Sequence, residues 1–315
     1  MQRDAKVYVA GHRGLVGSAL MRRLEQGEYR NVVTRTHAEL DLCNQREVIS
    51  FFEAERPEFV FVAAAKVGGI LANDTFPAEF LYQNLMIETN VIQAAHQCGA
   101  RKLLFLGSSC IYPKHAPQPM TEDCLLSGKL EPTNEAYAIA KIAGIKLCAA
   151  YNRQYKSNFL CVMPTNLFGP NDNYNLATSH VVPALLRKMH VAKKQGISKV
   201  SVWGTGTPRR ELLYSDDLAD ACVFLMERHN ATELGEFINV GVGEDMTIRE
   251  LAVMIADVVG YAGGLEFDTM RPDGTQRKLL DVRRMKALGW KPKTSLREGL
   301  RRTYDDFLKT GRSSQ

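Results

Sequence analysis

Lys6-Val7-Tyr8-Val9-Ala10-Gly11-His12-Arg13-Gly14-Leu15-Val16-Gly17 opens the chain with a β-branched and aromatic run, a glycine-rich turn, and a helical pattern that continues through Leu24. Strand, glycine turn and helix in that order are the context a dinucleotide fingerprint requires. Glycines permit a tight turn, close approach of backbone to a pyrophosphate, and close contact between helix and strand. Unpaired N–H groups and the dipole at the helix start favour an anion there. The spacing is G-x-x-G-x-x-G rather than G-x-G-x-x-G, which is weak evidence alone and gains strength from the strand before it. Gly11, His12, Arg13, Gly14, Leu15, Val16 and Gly17 are therefore the expected cofactor turn.

A second strand follows on schedule, Asn31-Val32-Val33-Thr34, and ends in Arg35-Thr36-His37. NAD-preferring chains place an acidic residue at that point to hold the ribose 2′-hydroxyl. Arginine there, together with Arg13, suits a 2′-phosphate through charge-assisted, bidentate hydrogen bonds. NADP(H) is the expected cofactor, with Asp41 and Leu42 within reach of the adenine. A solvated strand-end charge is the plainer reading of Arg35.

Working outward, apolar runs alternate with helical segments: Glu58–Ala64, Lys102–Gly107 and Asn158–Met163. Near-continuous apolar strands separated by helices imply a parallel sheet covered on both faces. From Gly169-Pro170-Asn171-Asp172-Asn173 onward turn signals multiply, among them Trp203-Gly204-Thr205-Gly206-Thr207-Pro208 and Pro272-Asp273-Gly274. The expected fold is α/β: a Rossmann-type doubly wound parallel sheet over residues 1–169, then a smaller C-terminal α/β substrate-binding lobe over residues 170–315. Glu236–Gly241 is expected to return one strand to the main sheet.

With 40 basic and 35 acidic side chains among 315 residues, the net charge of +5 is mild and dispersed, which argues against nucleic acid and suits an anionic nucleotide. No apolar run reaches the ~20 residues that span a bilayer, and the chain enters its first strand without a leader pattern. Seven cysteines without C-x-x-C spacing read as reduced cytosolic thiols, with neither disulfides nor a metal site. A cytoplasmic enzyme without metal is expected. The segments Asn84–Cys98 and Ala136–Tyr151 are apolar over more of their circumference than one core contact needs. Covering them with their copies would give a homodimer with twofold symmetry; full burial inside one subunit is the alternative.

Tyr137 and Lys141 fall one helical turn apart and follow the strand end Gly107-Ser108-Ser109-Cys110. Beside a nicotinamide such a pair lies on one helix face, where the ammonium would lower the phenol pKa from its ordinary ~10. Ser108 would hold a carbonyl oxygen while Tyr137 moves its proton. Tyr-x-x-x-Lys also recurs by chance on ordinary amphipathic helices, so its company carries the argument.

The glycine turn, Ser108 and Tyr137-x-x-x-Lys141 resemble the extended short-chain dehydrogenase/reductase superfamily. Further stretches narrow this to its GDP-sugar epimerase-reductases: Ala64-Ala65-Lys66-Val67-Gly68-Gly69-Ile70, Ser108-Ser109-Cys110-Ile111-Tyr112-Pro113-Lys114, Glu131-Pro132-Thr133-Asn134-Glu135 and Pro164-Thr165-Asn166-Leu167-Phe168-Gly169-Pro170. Lys278-Leu279-Leu280-Asp281 and Leu288-Gly289-Trp290 extend the likeness to the end of the chain. The resemblance implies a GDP-sugar substrate, GDP-4-keto-6-deoxy-D-mannose, inverted at carbons 3 and 5 and then reduced at carbon 4. It implies Cys110 as base, His180 as acid, and Ser108, Tyr137 and Lys141 for the reduction. It adds His37, Leu106, Gly107, Ser109, Pro164, Thr165, Asn166 and Leu167 to the cofactor contacts, and Lys188, Trp203, Arg210 and Lys278 to the GDP contacts. Two positions depart from the pattern: His37 stands where a stronger base often meets the 2′-phosphate, and Gly264 where an arginine can touch substrate. Cys110, two residues past Ser108, would point to the same side on an extended segment. A nucleotide-sugar 4-epimerase or dehydratase, and a catalytically silent nucleotide-binding regulator, are the competing readings. A dehydratase would place acidic residues at Ser109 and Cys110, and a regulator has no need of Ser108, Tyr137 and Lys141 together.

Overall fold

In a computed structural model, which describes residues 1–271 and 273–310, the opening run folds as β1 (Val7–Ala10), with Val7 and Val9 on one face and Tyr8 and Ala10 on the other, all buried. Pro272, in one of the expected turns, lies outside the described residues. Five further strands complete a parallel sheet: β2 (Val32–Val33), β3 (Phe59–Val62), β4 (Lys102–Leu106), β5 (Phe159–Pro164) and β10 (Ile238–Val240), in the order β10-β5-β4-β3-β1-β2. Helical crossovers between parallel strands cover both faces of such a sheet, so both faces must be apolar. One face carries Tyr8, Val60, Phe105 and Cys161 against α2 (Gln45–Glu55), α4 (Pro77–Gln97) and α5 (Glu135–Tyr155). The other carries Val9, Phe61, Leu104 and Leu160 against α1 (Leu15–Gln26) and α7 (Ser215–Arg228). Fully burying each such side chain contributes about 1.5–3 kcal/mol.

The rest of the chain builds a second core around Leu186, Met189, Val202, Leu251, Ile255 and Phe307. It holds α6 (Val181–Gln195), α9 (Ile248–Val259) and α11 (Leu296–Lys309), with three small sheets. β6 (Asn166–Phe168) pairs with β9 (Leu212–Tyr214), and β7 (Lys199–Trp203) with β12 (Gly264–Asp268). β8 (Arg209–Arg210) lies between β11 (Met246–Thr247) and β13 (Arg277–Lys278). The short helices α3 (Ile70–Thr75), α8 (Ala231–Leu234) and α10 (Arg283–Ala287) fill connections.

The boundary near residue 170 is crossed repeatedly, because Leu218, Met226, Ile238, Met285 and Trp290 all belong to a core of the large sheet. Glu211 ties the two parts together. Fully buried between β8 and β9, its carboxylate accepts the N–H groups of Val242 (2.6 Å), Gly243 (2.7 Å) and Leu280 (2.9 Å).

Element limits differ from the sequence reading where local chemistry decides. β5 runs one residue past the apolar stretch Asn158–Met163 and closes on Pro164, which pairs with Val240, after which Thr165 N–H donates to Val240 O at 3.1 Å. β2 shrinks to a half-buried pair at the sheet edge. Helix α4 starts seven residues earlier than Asn84, at Pro77, whose missing N–H is harmless in a first turn. None of the described helices is long and apolar enough to cross a bilayer.

Candidate active site

The C-terminal ends of β1, β4 and β5 open on one crevice, where ligands bind in sheets of this kind. At β1, Gly11 adopts φ +82°, and a Cβ on it would stand 2.7 Å from Ala64 Cα. A Cβ on Gly17 would meet Gly11 O at 2.0 Å, so this turn accepts no side chain at either place. Gly14, the N-cap of α1, offers no side-chain cap, and the first turn holds no acidic residue. That leaves α1 a bare, positively polarised N-terminus lined by Leu15 and Val16, which fits a dinucleotide pyrophosphate. The neighbouring His12 Nδ1 is buried without a hydrogen-bond partner, and burial together with Arg13 pushes the imidazole pKa down.

Arg13 is exposed at this turn. Arg35 is already engaged. Its guanidinium pairs with Glu55 at 2.6 Å, donates to Thr34 O at 2.8 Å and lies 5.1 Å from the Phe51 ring centre. His37 is solvent-facing and stands 3.7 Å from Asp41, whose carboxylate accepts the Cys43 N–H. Leu42 O takes a hydrogen bond from Asn90 of α4 at 2.9 Å. Leu106 and Gly107 end β4 close to Met163, and Ser109 is buried behind them. Past Pro164, Thr165 and Asn166 both donate to Glu211 O, and Leu167 sits in β6.

Beyond β4 the chain tightens into a 3-10 turn, Ser109–Ile111, whose Cys110 N–H is capped by Ser108 Oγ at 3.5 Å. The extended geometry expected for Ser108 and Cys110 is thus corrected: a turn, not strand alternation, brings the thiol to the serine. Ser108 reaches both the Cys110 thiol and the Tyr137 phenol. Tyr137 and Lys141 do share one face of α5. The Tyr137 ring packs edge-on to Phe80 (6.4 Å, 83°), and Lys141 Nζ lies 5.8 Å from its ring centre.

The electrostatics differ from expectation. Burial pushes the Tyr137 phenol up, the charges of Cys110 and Glu88 push it further, and Ser108 offsets part of this. No lowering by Lys141 accompanies this; burial pushes the ammonium itself down, and Lys141, 3 % exposed, faces the buried carboxylate of Glu88 at 3.9 Å. Glu88 is the residue the sequence reading passed over. The signal was a lone acid inside an apolar helix, Met86-Ile87-Glu88-Thr89-Asn90-Val91.

His180 is the N-cap of α6, with one face open to the cleft and protein crowding it behind. That crowding and the Lys278 charge push its pKa down. Gly69 makes room for the preceding turn: its N–H donates to Thr178 O at 2.9 Å, and a Cβ there would touch Ser179 O. Burial raises the Cys110 thiol, and the strongest opposing influence is Lys278, ahead of Ser108 and Lys141. Lys278 therefore acts on both the base and the acid candidate, and lies in register beside Arg210 on the neighbouring strand. The other two expected GDP contacts lie apart. Lys188 Nζ sits 5.4 Å from the Trp203 ring centre on the flank of a cleft of ≈ 330 Å³ lined also by Leu176, Val191 and Val200. Arg271, not foreseen, covers the same ring at 4.9 Å. Gly264 begins β12 and is exposed.

Residues 7–241 match the NAD dependent epimerase/dehydratase family. The chain is 58% identical to GDP-L-fucose synthase of Escherichia coli (strain K12), over 96% of both chains. It is 57% identical to GDP-L-fucose synthase 1 of Arabidopsis thaliana, over 98% of this chain and 94% of that one. A solved GDP-L-fucose synthetase from Naegleria fowleri, bound to NADP, superposes with TM-score 0.91 at 30% identity, covering 99% of this chain and 95% of that one. With its glycine turn, its Ser108–Tyr137–Lys141 arrangement and this degree of likeness, the chain belongs to the NAD dependent epimerase/dehydratase family, on the branch that holds the GDP-L-fucose synthases.

Proposed function

We propose that the protein converts GDP-4-keto-6-deoxy-D-mannose to GDP-L-fucose, inverting carbons 3 and 5 and reducing carbon 4 with NADPH. The observation that carries this is the convergence of Cys110, Lys278 and His180 on the same crevice mouth as Ser108, Tyr137 and Lys141. A simple reductase needs only the second group. Bound NADPH would supply the hydride, held by the Gly11–Gly17 turn, Arg13 and Arg35.

The C4 carbonyl acidifies the C–H bonds at carbons 3 and 5, so inversion needs a base on one face and an acid on the other. Cys110 is the base. Its thiolate is disfavoured by burial, and the Lys278 ammonium is the group that offsets this. His180 returns a proton from the opposite face; burial and Lys278 make that proton easy to give up, and exchange with solvent must return a proton to His180 and remove one from Cys110 before the second carbon is inverted. Ser108 and Tyr137 stabilise the enolate oxygen between the two steps. In the reduction the Tyr137 phenol gives its proton to the C4 oxygen. Lys188 and Trp203 suit the nucleotide, and Arg210 its diphosphate.

Residues 1–169 with the returning strand β10 make up the cofactor half, and most of 170–315 the substrate lobe. A homodimer through α4 and α5 is supported by the exposed Tyr82, Ile139 and Tyr155 on those helices. A cytoplasmic setting accords with seven unpaired cysteines. The deciding experiment adds the keto sugar to the purified protein with NADPH. Absorbance of the cofactor should fall in proportion to the GDP-L-fucose formed, and an unchanged absorbance would sink the reading.

A further inference from the structure

Inversion at two carbons sets a demand that the crevice alone does not meet. After the first inversion the Cys110 thiol holds a proton and His180 lacks one, and both must be reset before the second. The two groups work on opposite faces of the sugar ring, so the bound ring stands between them and blocks direct transfer. A thiol so placed needs a way out that does not pass through the sugar. Cys110 also lines a second space, a cavity of ≈ 10 Å³ bordered by the Ser109–Ile111 turn, the segment that follows it and β13. That volume is about what one water needs. Its wall includes the buried Cys110 and the exposed Lys114 and Arg277, so it lies between the thiol and the surface. Backbone bonds stitch one side: Met120 N–H donates to Leu279 O at 2.8 Å, and Asp281 N–H to Met120 O at 2.9 Å. Several polar groups on the wall are already committed. Tyr112 Oη donates to Asn239 at 2.6 Å, Gln118 Oε1 accepts the Leu279 N–H at 2.9 Å, and Arg277 pairs with Asp245 at 2.5 Å. Lys114, Arg277 and Lys278 as cations offer no lone pair to a proton. Glu131 is the one carboxylate among the described residues of the wall. Its side chain is 16 % exposed, which places it between cavity and bulk water, and Lys114 Nζ fixes it at 3.0 Å from Oε2.

We propose that this cavity and Glu131 form the exit by which Cys110 sheds its proton between the two inversions, while the sugar stays bound. This rests on the epimerase reading above, and a protein that inverts a single carbon has less need of it. The Sγ–H bond breaks and its proton passes to a water in the cavity. That water gives one of its own protons to the Glu131 carboxylate, and the carboxyl releases it to bulk water. The sulfur keeps the electron pair and is again a thiolate beside Lys278. His180 is recharged from its cleft-facing side, so one proton leaves by Glu131 for each that enters at His180, and the charge of the site is unchanged. Glu131 touches no reacting atom; it acts through Cys110, as a positioning residue for the departing proton.

The test is deuterium entry into carbons 3 and 5 from heavy water, followed by NMR and mass spectrometry for wild type, Glu131→Gln and Glu131→Asp with the 4-keto sugar and NADPH. Protein in excess confines each molecule to one turnover, begun from a thiol already equilibrated with solvent. Glu131→Gln keeps the shape and removes the proton acceptor. The carbon that exchanges first needs no reset and should behave as in wild type. The second should slow by about tenfold or more, a part of the ~10²–10⁴ that general acid–base groups supply. A GDP-6-deoxyhexose inverted at one carbon should then appear among the products. Glu131→Asp keeps the carboxylate one methylene further back and should fall between the two. Equal slowing at both carbons would overturn the proposal, because Glu131 would then merely support the Cys110 turn or its charge. Unchanged exchange at both carbons would overturn it too. Should Glu131→Gln fail to fold, Glu131→Asp decides: a lag confined to the second carbon supports the exit, and a wild-type ratio of the two rates overturns it. A wild-type protein that takes up no deuterium at either carbon would instead defeat the functional reading.

Discussion

Tyr137 and Lys141 stand one turn apart on a single helix and are packed by Phe80, Phe105 and Glu88, whereas Cys110, His180 and Lys278 come from a 3-10 turn, a helix start and a strand of the other lobe. The first group has its spacing set by helix geometry and survives any motion that leaves α5 intact. The second is correctly spaced only while the lobe sits on the sheet. Reduction should therefore tolerate disturbance of the lobe better than epimerisation does, although both chemistries use one carbonyl.

The sharpest way to break this division is Tyr137→Phe. Loss of the proton donor should cost ~10²–10⁴ in ketone reduction, the usual weight of a general acid. Solvent deuterium should still enter carbons 3 and 5, and NADPH should still bind. Near-normal turnover of a pre-epimerised 4-keto sugar would remove Tyr137 from the mechanism. Cys110→Ser tests the other group. A serine hydroxyl does not ionise near neutrality, so deuterium incorporation should fall by about 10² or more. Slow NADPH consumption should persist and give a GDP-6-deoxyhexose of the original D configuration, visible by NMR. GDP-L-fucose formed at the normal rate would make Cys110 a packing residue.

Arg35→Ala belongs to the sheet half. Removing a charge-assisted contact costs about 1.5–3 kcal/mol, or about ten- to hundredfold in the Kd of NADPH. NADH binding should change little. Equal losses by titration would show that Arg35 serves Glu55 and not the 2′-phosphate. The smallest effect is expected of Lys278→Met. With its cation gone, the Cys110 thiol should titrate about 1 unit higher, and alkylation by iodoacetamide near neutral pH should slow about tenfold, followed on the Cys110 peptide by mass spectrometry. An unchanged rate would separate Lys278 from the thiol and return it to the diphosphate.

Legibility in the sequence follows the same division. The apolar strands, the glycine turn and Tyr137-x-x-x-Lys141 are local patterns, so periodicity and spacing suffice to place them. Cys110 and His180 carry no local mark; a buried cysteine and a capping histidine look ordinary, and only family likeness singles them out. Lys278 was legible as a charge but not as a neighbour of Cys110, since strand pairing between β8 and β13 decides that. Glu88 was visible as an acid in an apolar helix, yet the room for its carboxyl depends on Gly144 leaving a hole in a different helix. The phenol's raised pKa is not legible either, since it follows first from the depth of burial, then from Cys110 and only then from Glu88, none of which the Tyr137–Lys141 spacing displays.

Glu211 has a mechanical consequence. Its carboxylate is anchored to the chain just beyond β10 and to Leu280, two residues past Lys278, in a place water does not reach. Swinging the lobe off the sheet would strand a buried carboxylate without its backbone N–H donors, a far greater penalty than the weak links on which clamshell proteins hinge. The two halves should accordingly melt together as one calorimetric unit, with no separate low-temperature shoulder for the lobe, and substrate must be admitted by motions smaller than a hinge.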